Sequence, residues 1–129
     1  MNKDTVYMLS CLTRAGIAHD DAMALRRISM TLHNWHEKEC GFEYSCLERD
    51  EVTGKPFWVN SRTMRRSPIA DLERGALKRL NTIMAKYPNL STYVQGDPRG
   101  AALYILRPGD VPEGEDVDSY YSRGLPVYK

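Results

Sequence analysis

Leu25, Ile28, Leu32, Trp35 and Glu39 recur at spacings of three and four. That rhythm restricts 20–39 to a helix with one face that another layer must cover. Asp20 or Asp21 supplies its start and Gly41 its stop. A shorter helix is predicted over 4–15, with Asp4 as N-cap, Gly16 as C-cap, and Val6, Leu9 and Leu12 on one side.

The period then changes. Phe42, Glu43, Tyr44, Ser45 and Cys46 alternate apolar with polar, as a half-covered strand does. The turn-forming stretch 50–55 separates them from Phe57, Trp58 and Val59, so an antiparallel hairpin is expected with Pro56 opening its second strand. A polar, basic linker, 60–66, follows. Ser67 and Pro68 have the form of an N-cap and a first helical residue, which predicts a third helix to about Tyr87, ended by Pro88. Asp71 and Glu73 early and Lys86 late suit its dipole, and its apolar stripe is Ile69, Leu72, Ala76, Leu80, Ile83 and Tyr87. Gly75 within it is open to a close-packing role.

Residues 90–95 are ambiguous between a helical turn and an extended piece. The turn signal at 96–100 leads into 101–107, the strongest buried-strand pattern, which Pro108 and Gly109 stop. Five acids lie between Asp110 and Asp118 with no Lys or Arg among them, as in a solvated loop. The closing Tyr120, Tyr121, Leu125, Val127 and Tyr128 are too apolar for a free tail. A docked segment is expected there, with 126–128 as an edge strand. The reading is α+β: a single domain over 1–129, with a small antiparallel or mixed sheet (hairpin plus one central strand) and about three helices packed on one face.

With 42% apolar and 27% charged residues, composition is ordinary for a globular domain. No apolar run approaches the roughly 20 residues of a membrane span, and the first residues do not read as a secretory signal, so a cytoplasmic location is expected. Cys11, Cys40 and Cys46 form an odd set without a CxxC, which suits reduced thiols. A net charge of +1 gives no global pull toward nucleic acid or membrane, so electrostatic function must be local.

His33, His36 and Cys40 share a helical face, with Cys46 within reach of it, and these are zinc-type donors. Their spacing matches no zinc finger or ribbon, and HEKEC is not HExxH, so helix-end and core-edge roles are expected and no metal. The same thiols and imidazoles lack an orienting third group for nucleophilic chemistry, and neither catalytic residues nor a cofactor are expected. Arg99 in the 96–100 turn, with Tyr104 beyond it, is the candidate for a small anionic ligand, against the simpler reading of a tight turn. Arg62, Arg65, Arg66, Arg74, Lys78 and Arg79 form a basic cluster that could meet phosphates while Trp58 and the tyrosines stack on bases; intrahelical ion pairs explain part of it. Asp110, Glu113, Glu115, Asp116, Tyr120 and Tyr121 place charge beside aromatics, as protein interfaces do, and suit a partner or a second copy of this chain.

The stretch from Asp97 to Leu106 (DPRGAALYIL), the closing YYSRG at 120–124 and the segment from Leu25 to Gly41 resemble small proteins encoded by bacteriophages and prophages. Together these segments cover about half of the chain. The resemblance implies an accessory protein in the host cytoplasm, acting by stoichiometric binding to a host protein or nucleoprotein complex and blocking machinery such as nucleic-acid-directed defence. Direct nucleic-acid binding through the basic cluster, and small-ligand binding or catalysis, stay open as alternatives.

Overall fold

In the computed structural model, residues 1–39, 45–49, 51–52, 56–60, 65–68, 74–97 and 100–128 are described. Helix α1 spans Lys3–Arg14 and is capped by Asn2, whose Oδ1 accepts the Thr5 N–H at 2.8 Å. Asp4, expected as the cap, lies instead inside the first turn, where its charge still complements the dipole. The buried arc is Thr5, Met8, Leu9 and Leu12, the i, i+3, i+4, i+7 set. Val6, expected on that face, lies one residue and so about 100° from Thr5 and is exposed.

The end of α1 is a Schellman motif. Gly16 adopts φ of 97°, its N–H reaches Thr13 O, and the Ile17 N–H reaches Leu12 O, each at 3.1 Å. Ile17 and Leu12 both enter the core, so one glycine sets the angle at which α2 leaves. Helix α2 spans His19–Glu39 and buries Leu25, Ile28 and Leu32, as its periodicity predicts, with Ala22 and Ser29 beside them; the side chains of Trp35 and Glu39 lie outside the described residues.

Strands β1 (Ser45–Arg49), β2 (Pro56–Asn60) and β3 (Arg65–Pro68) form an antiparallel sheet in that order. The expected hairpin is β1–β2, with Arg49 opposite Pro56 and Ser45 opposite Asn60. Of the alternating stretch, Ser45 and Cys46 lie in β1, and Phe42, Glu43 and Tyr44 lie outside the described residues. Ser67 and Pro68 do not start a helix. They close β3, with Pro68 opposite Phe57 at the end of an edge strand, where a missing N–H costs little. Helix α3 spans Arg74–Met84, starting after Pro68 and ending before the predicted Tyr87, with a turn at 85–86 leading to Pro88, and buries Ala76, Leu80 and Ile83. Ile69, Leu72, Asp71 and Glu73 lie outside the described residues, and Gly75 is exposed in the first turn, so it mediates no close packing.

The ambiguous 90–95 stretch is extended. Strand β4 (Ser91–Asp97) pairs antiparallel with β5 (Gly100–Leu106), from Ser91 opposite Leu106 to Asp97 opposite Gly100. Strand β6 (Leu125–Val127) pairs with the other side of β5, so β5 is central and the C-terminal segment is docked, as expected. Between them lie α4 (Val117–Tyr120) and a 3-10 turn, Tyr121–Arg123. The chain is thus α+β, with four helices and two three-stranded antiparallel sheets among the described residues; β1 lies against β4. Helices α1, α2 and α3 share one core with Leu103, Ile105 and Val127. Ser29, 2% exposed, donates from Oγ to Val127 O at 2.7 Å, fastening β6 to α2. Among the described residues, no helix is long and apolar enough to cross a membrane.

Candidate functional site

Alternation along β5 sends Leu103 and Ile105 to the helices and leaves Tyr104 on the other face, opposite Tyr93 of β4. Tyr121 covers this pair, stacked on Tyr93 at 4.9 Å and edge-on to Tyr104 at 5.1 Å. The Tyr93 hydroxyl donates to Asp118, and Asp116 caps α4 by accepting the Asp118 N–H at 3.2 Å. Asp110 accepts the Arg107 N–H at 2.7 Å and grips its guanidinium at 3.1 and 3.2 Å. Asp110, Asp116, Asp118 and Tyr121 therefore hold the tail in place. Glu113 and Glu115 remain exposed, and the Arg123 guanidinium lies 4.7 Å above the half-buried Tyr120 ring.

The other prominent surface is α1. Its inward arc is complete without Val6 and Tyr7, which are 54% and 62% exposed, beside Met1 at 76%. Met1, Lys3, Val6, Tyr7 and Ser10 line one shallow depression. Tyr7 is also part of a groove of about 430 Å³ with Cys11, Arg14, Ala15, Arg107 and Leu125. The sequence carried a signal for the apolar part, since an arc at 5, 8, 9 and 12 leaves Val6 and Tyr7 without a place inside. Nothing in the spacing pairs Arg14 with Arg107; that meeting is made by α1 packing on β6.

Of the zinc-type donors weighed and set aside in the sequence, His33 is half-buried on α2, while the side chains of His36, Cys40 and Cys46 lie outside the described residues. Among the described residues, no group of three His, Cys, Asp or Glu could hold an ion. Cys11 is free and half-buried. Of the basic cluster, Lys78 and Arg79 are exposed on α3; Arg62 and the side chains of Arg65, Arg66, Arg74 and Trp58 lie outside the described residues, as does Arg99. Tyr104 is committed to Tyr121.

One polar cluster joins α2 to the end of α3. The Tyr87 hydroxyl donates to Asp21 Oδ2 at 2.5 Å and accepts the Ala18 N–H at 3.0 Å, while Lys86 Nζ lies 3.1 Å from Asp21 Oδ1. The Tyr87 hydrogen bond first, then Lys86, holds the Asp21 carboxyl below its ordinary 3.8; the same bond to Asp21, then burial, raises Tyr87 above 10.0. A depressed carboxyl stabilises the fold above its ordinary value and loses that contribution as pH falls through the lowered one. Asp21→Asn should therefore cost about 1 kcal/mol near about pH 6 and progressively less as pH falls below the ordinary carboxylate value, read from urea midpoints along that range.

No protein-family model, curated protein or solved structure matches the chain.

Proposed function

We infer that this chain acts by stoichiometric binding to a protein, through the outward face of α1. The observation that carries the reading is the adjacency of Val6 and Tyr7, left in solvent on a helix whose core-facing arc is already full, and Met1 just ahead of that helix, also in solvent. Single exposed apolar residues are ordinary, but a cluster containing tyrosine and rimmed by charge is what protein interfaces bury. Lys3 and Arg14 provide such a rim. The resemblance to phage-encoded proteins makes the partner a host protein or nucleoprotein complex in the host cytoplasm. The role under this reading is non-enzymatic blockade, with nucleic-acid-directed defence as the target class.

Captured from bacterial host lysate on the immobilised chain, one dominant partner is expected in near-equal amount. Val6→Asp combined with Tyr7→Ala should reduce its recovery by more than about tenfold, without a change in thermal midpoint because both side chains are exposed. Recovery should also resist added salt, unlike that of a nucleic-acid contact. Retention of nothing, or equal retention by the double variant, would refute the assignment.

A further inference from the structure

We propose that the groove between the last turn of α1 and Arg107 is an oxyanion site, taking a phosphate or carboxylate group borne on a small aromatic or apolar body. Its volume, about 430 Å³, is within the range of small-molecule sites, and two guanidiniums line it. Arg14 reaches back along its own helix, with Nε 3.4 Å from Ser10 O and Nη2 3.3 Å from Cys11 Sγ. Among the described residues, no carboxylate bonds it. Its charge and most of its five N–H donors are left for a ligand.

Arg107 differs in kind. Asp110 holds it through Nε and Nη2, and Arg123 O takes a further Nη2 bond at 3.1 Å. Its Nη1 donors remain, on a guanidinium that has already surrendered its rotamer freedom, so little ordering is needed on binding. Because Asp110 offsets its charge, the net positive charge of the two arginines is that of Arg14, which suits one oxyanion and not a polyanionic strand. The C-terminal end of α1 would oppose an anion if its carbonyls were bare, but those of Cys11, Leu12 and Thr13 already accept N–H groups from Ala15, Gly16 and Ile17. Tyr7 and Leu125 supply the flanking aromatic and apolar walls.

The site does not depend on partner docking, so failed protein capture leaves it standing, and its own failure leaves the docking face standing. The test is a 15N NMR titration of the full chain at low salt with phenyl phosphate, inorganic phosphate and benzyl alcohol. Phenyl phosphate is expected to shift Tyr7, Cys11, Arg14 and Arg107 saturably, inorganic phosphate to shift the same residues more weakly, and benzyl alcohol to leave them in place. Arg14→Gln should weaken phenyl phosphate about tenfold, the scale of one charge-assisted pair, with Arg14→Lys in between. Shifts spread evenly over Lys78, Arg79 and other surface cations, equal binding of benzyl alcohol, or unchanged affinity in Arg14→Gln would each overturn the proposal.

Discussion

Ile105→Ala is expected to cost about 3 to 4 kcal/mol, a large fraction of the roughly 5–15 kcal/mol by which a single domain is stable. Ile105 is fully buried in the central strand β5, with Thr92 of β4 on one side and Leu125 of β6 on the other. Its side chain enters the core that α1, α2 and α3 share, and α2 packs directly on β5. Removal of three carbons there forfeits their transfer energy and opens a cavity that cannot close, because a strand paired on both edges cannot move toward the helices without losing its ladders. Urea denaturation should show a lower midpoint with an unchanged slope. Val6→Ala, on the exposed side of α1, should shift it by less than about 0.5 kcal/mol. An Ile105→Ala cost under about 1 kcal/mol would mean that β5 is not the centre of the fold.

What could be read in advance follows from whether a signal is local. The i, i+3, i+7 rhythm of Leu25, Ile28 and Leu32 and the apolar run of β5 state their own burial, and both lie in the core. The aromatic excess of the last residues implied docking because exposed tyrosine and valine would be wasted on a tail; Tyr121 and Val127 are indeed held. Ser67 and Pro68 failed because one dipeptide serves two purposes: a missing N–H is harmless at a first helical turn and equally at the end of an edge strand. The choice between them is made by the presence of β2 alongside, which is a tertiary fact. The acids of 110–118 read as a solvated run because charge alone does not disclose that Asp110 faces Arg107 or that Asp118 meets Tyr93. The candidate groove is less legible still, since Arg14 and Arg107 come from opposite ends of the chain and meet only once β6 lies against α1.

Gly124→Val should be as damaging as the core truncation, by the opposite mechanism. Gly124 has φ of −72° and ψ of −180°, extended backbone open to any residue, so left-handed strain plays no part. The constraint is space: a Cβ at this position would lie 2.7 Å from Leu106 Cδ2, 2.8 Å from Ile105 O and 3.2 Å from Tyr121 O. Leu106 is 5% exposed and could turn only into packed neighbours, and the Ile105 carbonyl belongs to the paired central strand and cannot retreat. The chain at 124 must therefore lift, taking Leu125–Val127 off β5 and parting the Val127 carbonyl from buried Ser29 Oγ. Overpacking of this kind costs about 1 to 3 kcal/mol for one added methyl, and the branched valine belongs at the upper end or beyond. Gly124→Ala should lie lower, because it adds the crowded Cβ without the two further methyls of valine. Hydrogen exchange separates this from a uniform loss: in Gly124→Val, amides of Leu103, Ile105 and Val127 should exchange faster while those of α2 keep native protection. A valine variant as stable as the parent, with Val127 still protected, would show that the chain at 124 does not pass this close to β5.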